Sequence, residues 1–257
     1  MLSRGDIERI ARTVSRGNAG HAEKLYLQDI ILLTVSRETV DELVFKGGTA
    51  LLKCYQLDRF SEDLDFTARA PIDWLELVSA VVRNLENFGA TVDRRSHDEA
   101  TDSFTARFGI QGPLFTGDPR SLCFIRLQVN KRSSVVRARV KRYNPAFDDV
   151  PSFELAVLGE PEILAEKVRA LLTRDQPRDL YDIYHLLERG HRIDPALVQV
   201  KLDYYGLAFD PDAVRARAAA LNRSWETLEP LTYSRLPPFE AVLDVATQHL
   251  SALESEE

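Results

Sequence analysis

The stretch Ser61-Glu62-Asp63-Leu64-Asp65-Phe66 places two acidic residues at alternate positions of a hydrophobic segment. In a β-strand the side chains of Asp63 and Asp65 project to one face, and those of Leu64 and Phe66 project to the other. Two neighbouring carboxylates repel each other unless a cation lies between them, and Mg²⁺ commonly takes one or two carboxylates together with substrate phosphates. The pattern favours a strand whose acidic face binds Mg²⁺. A pair of solvated acids near a strand end is the alternative.

A glycine pair precedes this stretch. Residues 43–45 predict a short strand, Gly47-Gly48 follows it, and residues 50–55 are typical of a helix. Glycine allows a positive φ and a close backbone approach to a phosphate, while the first N–H groups of a helix attract anions. Thr49 could add a hydroxyl group. The segment is therefore either a phosphate site beside the two carboxylates or only a tight turn.

Farther along, a predicted helix at 161–173 carries a lysine on its apolar side. The residues three and four positions from Lys167 are apolar, so the lysine interrupts the apolar face. An inward ammonium needs a phosphate or carboxylate partner, whereas a lysine whose stem extends to solvent needs none. The other polar residues of this helix are expected on its outer face: Glu162, Glu166 and Arg169.

The next predicted helix, at 177–189, offers such a partner. The linker between the two helices is short, so they should run antiparallel. At a rise of about 1.5 Å per residue, Lys167 and Asp182 lie at nearly the same height above the turn. Asp182 is therefore either the partner of the lysine or a surface acid.

The composition is that of an ordinary globular protein. The chain has 257 residues, 28% of them charged, and a net charge of −7, which excludes collagen-like, coiled-coil and disordered chains. Its longest apolar run, at 30–33, is far shorter than the ~20 residues of a membrane span, and the first residues lack a signal-peptide pattern. Cys54 and Cys123 lack the spacing of a zinc site. We expect a cytoplasmic protein without a membrane segment.

Positive charge is concentrated in one segment of this acidic chain. Residues 122–147 contain seven basic residues and no acidic one. If residues 135–141 form a strand, Arg137, Arg139 and Lys141 lie on one face of it. Such a stripe either contacts the phosphates of a polyanion such as RNA or protects an edge strand from aggregation.

Four blocks of the sequence together resemble the AbiEii/AbiGii nucleotidyltransferase toxins, which include the MenT group. The blocks are residues 45–51, 59–66, 163–171 and 178–182. The resemblance implies an α+β fold, in which a polymerase-β-like nucleotidyltransferase core with a small mixed sheet is followed by a helical C-terminal lobe. The run of predicted elements agrees with two lobes, an α/β lobe with N-terminal helices at 1–155 and a helical lobe at 156–257.

The resemblance also implies a function. Family members belong to type IV toxin–antitoxin or phage-abortive systems, so an NTP substrate and a cognate antitoxin of the AbiEi type are expected. Members of the MenT group transfer nucleotides from an NTP to the 3′ end of tRNA and so block translation. We therefore predict a Mg²⁺-dependent enzyme that transfers NMP to an RNA acceptor, with the stripe of Arg137, Arg139 and Lys141 as the RNA contact.

The family's functional residues carry over by position. The resemblance implies that Asp63 and Asp65 hold the metal, that Lys167 binds the triphosphate, and that Asp182 is a further essential acid. The residues expected at the nucleotide are Lys46, Gly47, Gly48, Thr49, Arg59, Ser61 and Lys167.

One feature departs from the pattern of many polymerase-β-like enzymes, which place a third carboxylate on a later strand. Residues 127–130 offer only Gln128 and Asn130 there. This leaves open a single-metal site, or activation of the acceptor hydroxyl by Asp182. A catalytically silent NTP- or RNA-binding module, a protein that mainly docks an antitoxin, and a nucleotidyltransferase that modifies a protein are the alternatives.

Overall fold

The computed structural model describes residues 1–132 and 134–254, and the elements of this paragraph are those of the described residues. The helices are Arg4–Val14 (α1), Ala19–Glu38 (α2), Gly47–Tyr55 (α3), Trp74–Asn87 (α4), Glu160–Thr173 (α5), Pro177–Glu188 (α6), Pro195–Leu202 (α7), Pro211–Ala220 (α8) and Phe239–Glu254 (α9). The strands are Leu43–Lys46 (β1), Leu64–Ala68 (β2), Thr91–Glu99 (β3), Ser103–Gln111 (β4), Cys123–Asn130 (β5), Ala138–Tyr143 (β6) and Phe153–Leu158 (β7).

The chain divides into two compact units. Unit 1 comprises Met1–Cys54 and Phe60–Val157, and unit 2 comprises Tyr55–Arg59 together with the described residues from Leu158 onward. The predicted lobe boundary between residues 155 and 156 falls inside β7. No local sequence pattern predicts that Tyr55–Arg59, from the last residue of α3 towards β2, belongs to unit 2.

A mixed sheet forms the framework of unit 1. Among the described residues its strand order is β3-β4-β5-β2-β1-β7-β6. The central strand β2 is antiparallel to β1 and parallel to β5, so Asp65 faces Lys46 on one neighbour and Gln128 on the other. The predicted α+β class with a mixed sheet is confirmed.

Hydrophobic burial fixes the orientation of β2. Leu64 and Phe66 are 0% and 1% exposed, and the Phe66 ring lies 5.2 Å from the ring of Phe45 on β1. Because side chains alternate between the faces of a strand, a slip of one residue would bury the acids and expose both apolar residues. Asp63, directly before β2, and Asp65 are both partly exposed, so the predicted alternation is confirmed.

Two strands and one helix were not predicted. β3 carries almost only exposed polar side chains, so its sequence lacks the alternation by which a half-buried strand is identified. β7 is a short apolar run, which helix and strand patterns fit equally well, and its last residues lie at the start of the segment predicted to form a helical lobe. The helix α7 has only eight residues, fewer than the window over which helical spacing is recognised.

In unit 2, a buried ion pair contradicts the prediction that Glu162 and Glu166 lie on the outer face of α5. Glu162 is fully buried and Glu166 is 9% exposed, so neither lies on an outer face as expected. The ammonium of Lys201, on α7, binds the Glu162 carboxylate and lies 3.9 Å from Glu166. Packing of α7 against α5 thus converts an apparently solvated face into an interior one.

Candidate active site

The turn between β1 and α3 requires glycine at its first position. Gly47 has a φ of +77°, a left-handed conformation that other residues rarely adopt. An added Cβ would also lie 2.6 Å from Asp65 Oδ2, so the absence of a side chain lets the backbone approach that carboxylate. The structure therefore brings the glycine turn and Asp65 together.

A hydrogen bond from Thr49 joins the same turn to the residue directly before β2. The Thr49 side chain is fully buried, and its hydroxyl donates a hydrogen bond of 2.5 Å to the carbonyl oxygen of Asp63. The Thr49 hydroxyl, predicted as a possible phosphate contact, thus makes a structural bond in this structure. Thr49 positions the acidic residue next to Gly47 and Gly48.

A glutamine that was not predicted holds the loop before Asp63 from the other side. Gln28, on α2, is fully buried, and its amide Nε2 donates to the carbonyl oxygens of Ser61 at 3.1 Å and Glu62 at 2.9 Å. The next residue, Asp29, is also buried and binds the Lys53 ammonium of α3 at 2.6 Å. The available sequence signal was a pair of polar residues inside the otherwise apolar run of residues 25–33.

On the exposed face of β5, an arginine lies near the position where many polymerase-β-like enzymes have a third carboxylate. Gln128 lies in register with Asp65, and Leu127 with Leu64. Arg126, one position earlier, forms an ion pair with the Asp63 carboxylate. The position on β5 opposite Asp65 is thus held by an amide rather than a carboxylate.

The acidic pair has the donor chemistry of a Mg²⁺ site. Among residues 1–132 and 134–254, no group of three or more His, Cys, Asp or Glu side chains could hold a metal. Mg²⁺ is usually bound by one or two carboxylates, with substrate phosphates and water completing its coordination. Asp63 and Asp65 are partly exposed, and Asp65 lies beside the turn at Gly47. Their carboxylate oxygens fit that mode of binding.

In unit 2, the second pair of predicted residues is in direct contact. Lys167 is 7% exposed, and its Nζ lies 2.7 Å from Asp182 Oδ2, which confirms the prediction that the two side chains meet. The same ammonium donates to Asp179 Oδ1 at 3.2 Å. The lysine is therefore shared between two carboxylates of α6.

Arginines complete this cluster, which we name the α5–α6 cluster and define as Lys167, Asp179, Asp182, Arg59 and Arg174. The Arg59 guanidinium, 2% exposed, donates to both oxygens of Asp182 at 2.7 Å. Arg174 binds both oxygens of Asp179 at 2.6 and 2.8 Å. Arg59, which is expected at the nucleotide, binds Asp182 in this structure, while Asp179 and Arg174 were not predicted.

The charges of the α5–α6 cluster set the protonation of its acids. Burial alone would raise the pKa of Asp182, but the neighbouring Arg59 and Lys167 outweigh burial and lower it. Burial likewise opposes ionisation of Asp179, yet Lys167 and Arg174 hold its pKa at about 2. Both acids are thus ionised at neutral pH and fully engaged, which disfavours Asp182 as a base for the acceptor hydroxyl.

The predicted cationic stripe lies on an edge strand. Strand β6 ends the described sheet, and Val140 on the side opposite the stripe is 65% exposed. Lys141 donates to the carbonyl oxygen of Cys54 at 3.0 Å, so its ammonium is anchored to α3. Arg137, just before β6, and Arg139 are exposed.

Comparison with known proteins identifies the family. Residues 31–245 match the profile described as "Nucleotidyl transferase AbiEii toxin, Type IV TA system". The chain belongs to the AbiEii family. A search of curated proteins finds no match. No helix among the described residues is long and apolar enough to cross a membrane.

Solved structures share the AbiEii fold. The nucleotidyltransferase toxin MenT4 of Mycobacterium tuberculosis is 22% identical, with a TM-score of 0.68 over 99% of this chain and 90% of MenT4. JHP933 of Helicobacter pylori is 18% identical, with a TM-score of 0.62 over 92% of each chain. At these identities the likeness establishes the fold alone.

Family membership establishes the general activity. The chain is a nucleotidyltransferase toxin of the AbiEii family, for which an NTP substrate and an antitoxin partner are implied. Nucleotidyltransferases of this family generally use a divalent metal. The resemblance drawn from the four sequence blocks is confirmed.

Acid should weaken the α5–α6 cluster in a defined pH range. A carboxyl whose pKa is lowered on folding stabilises the protein above its unfolded pKa, about 3.9, and this stabilisation is lost as pH falls through the folded value. For Asp179 the range is therefore about pH 4 to 2. We expect the free energy of unfolding of the wild type to exceed that of Asp179→Asn above pH 4. The difference should shrink by about 2 kcal/mol towards pH 2.

Urea unfolding of both proteins, from pH 7 downward, measures this difference. A difference that stays constant between pH 5 and the lowest pH at which both proteins fold would contradict the account of Asp179.

Loss of the Gln28 amide should impair transfer more than folding. Gln28→Met removes the two bonds to the loop before Asp63, and small misplacements of reacting groups are costly, so we expect the rate of nucleotide incorporation to fall about tenfold or more. The control is Asn84→Leu, which removes a 2.9 Å bond from Asn84 to Thr34 on the same helix α2. Rates are compared at equal folded fraction, measured by thermal melting. Equal losses in the two variants would refute a positioning role for Gln28.

Proposed function

We propose that the chain is a Mg²⁺-dependent toxin that transfers NMP from an NTP to the 3′ end of a tRNA and thereby inhibits translation. The observation that carries the proposal is the close grouping of Asp63 and Asp65 with the glycine turn, fixed by Gly47 and Thr49. The fold relative MenT4 is a nucleotidyltransferase toxin, and the tRNA acceptor is inferred from the resemblance to the MenT group.

In this proposal the residues of unit 1 bind the metal and the phosphates. Asp63 and Asp65 hold Mg²⁺, and Lys46, Gly47, Gly48 and Ser61 surround the nucleotide. When bound, the metal supplies Lewis-acid stabilisation of charge that develops on the phosphoryl group and the leaving pyrophosphate. Gln28 and Thr49 keep the carboxylates and the loop in place, so that no reorganisation is needed during the reaction.

We assign the triphosphate contact of unit 2 to Lys167. Its cluster contains three cations, Lys167, Arg59 and Arg174, and two anions, Asp179 and Asp182. The buried cations Lys167 and Arg59 balance the two buried acids, whereas the Arg174 side chain is 46% exposed. The assignment of a phosphate to Lys167 therefore rests on the resemblance of its helix to the family motif. Asp182 then acts as a positioning residue for the lysine.

The acceptor RNA is assigned to the exposed arginines of the β6 edge, Arg137 and Arg139, with Lys141 as a fixed neighbour. The surrounding segment, residues 122–147, is basic in a chain of net charge −7. A local concentration of guanidinium groups on an acidic protein attracts a polyanion to that surface. The antitoxin is expected to be a protein of the AbiEi type.

Removal of either acid should abolish transfer. Asp63→Asn and Asp65→Asn each remove a charged metal ligand, and we expect incorporation of labelled NTP into total tRNA to fall at least about 100-fold. Asp41→Asn, which changes an exposed acid of unit 1, should retain full activity. Retention of full incorporation by Asp63→Asn would overturn the proposed mechanism.

Neutralising the exposed arginines should weaken RNA binding and its salt dependence. For Arg137→Gln/Arg139→Gln we expect the slope of log K against log salt to decrease by about 1 to 2, because each phosphate contact contributes roughly 0.7–0.9. Arg9→Gln/Arg12→Gln, two exposed arginines of α1, is the charge-matched control. Unchanged tRNA affinity of the β6 variant in filter-binding titrations would remove the RNA assignment and leave the metal site untouched.

A further inference from the structure

Arg126 lies beside the acidic pair because of the sheet register. β5 runs parallel to β2, with Leu127 opposite Leu64 and Gln128 opposite Asp65. Side chains of β5 alternate strictly between buried and exposed positions, so Arg126 projects to the same exposed face as Gln128. There its guanidinium forms an ion pair with the Asp63 carboxylate.

A cation at this position competes with a metal for the carboxylate of Asp63. The guanidinium of Arg126 keeps its positive charge at any pH at which the protein is folded, so it and a divalent ion cannot both lie against Asp63 without mutual repulsion. The side chains of Arg126 and Asp63 are 44% and 29% exposed. Ion pairs in such settings shift an equilibrium by only about fivefold or less, so the pair can be exchanged easily.

Displacement from Asp63 frees the Arg126 guanidinium to bind another anion. Its planar fork of N–H groups matches the oxygens of a phosphate in two-point contact. The triphosphate that arrives with the metal is the anion that the proposed reaction brings to this face of the sheet. The same residue therefore has a partner both before and after substrate binding.

We propose that Arg126 exchanges partners during the reaction: without nucleotide it neutralises Asp63 in place of the metal, and with metal and NTP bound it contacts the triphosphate. This inference rests on the proposed function, because it requires that Asp63 holds the metal. No covalent bond is made or broken by Arg126. Its role is to keep the acidic pair stable when empty and to bind substrate phosphate when loaded.

The first test measures metal binding to the nucleotide-free protein. Mn²⁺ serves as the probe and is titrated by electron paramagnetic resonance into wild type, Arg126→Met and Arg107→Met. Arg107 is the matched control because it lies opposite Arg126 on the neighbouring strand β4 and is exposed. We expect Mn²⁺ to bind Arg126→Met about two- to fivefold more tightly than wild type, and Arg107→Met to bind it as wild type does.

The second test measures nucleotide binding. Calorimetric titration uses the four ribonucleoside α,β-methylene triphosphates, each in turn, with Mn²⁺ at saturation. Loss of a charge-assisted contact should weaken binding to Arg126→Met about tenfold, whereas Arg107→Met should be unaffected. Arg126→Lys keeps the charge but not the fork, so it should retain the wild-type Mn²⁺ affinity and still bind the analogue more weakly than wild type.

The outcomes separate this inference from the proposed function. Unchanged Mn²⁺ affinity in Arg126→Met overturns the competition, and unchanged analogue affinity overturns the triphosphate contact. If either occurs while wild type transfers nucleotides and Asp63→Asn does not, the proposed function stands and only the exchange is wrong. If Asp63→Asn binds Mn²⁺ as wild type does, the proposed metal site itself fails.

Discussion

The repulsion between two carboxylates at the start of β2 is the constraint on which this structure depends. Burial of Leu64 and Phe66 on one face forces Asp63 and Asp65 onto the other. Folding therefore creates a local concentration of negative charge that only a cation can relieve. Arg126 supplies one such cation within the protein. Because both side chains are partly exposed, the ion pair is weak and a divalent ion can replace Arg126 at Asp63.

In unit 2, the α5–α6 cluster pairs each of its buried carboxylates with cations. Two arginines each grip a carboxylate in two-point contact, and Lys167 lies between those carboxylates. Because the acids are held rigidly, the lysine has a defined position rather than the freedom of a surface side chain. The essential role that the resemblance implies for Asp182 is therefore consistent with a residue that positions Lys167 rather than one that touches a substrate.

Local patterns were sufficient to predict the elements that carry the motifs. Alternation predicted β2, the glycine pair predicted the turn before α3, and helical spacing predicted that Lys167 and Asp182 meet. Contacts distant in sequence were not predictable: the register that places Arg126 next to Asp63 depends on which strands become neighbours. Spacing within α5 likewise could not reveal that α7 covers Glu162.

The position of the transferred label tests the central claim, nucleotidyl transfer to RNA, most directly. Wild-type protein is given total tRNA, Mg²⁺ and each NTP labelled at either the α- or the γ-phosphate. The account predicts that the α-label enters RNA at its 3′ end and that the γ-label leaves as pyrophosphate. Label from the γ-phosphate in RNA, or no α-label in RNA with any of the four nucleotides, would contradict it.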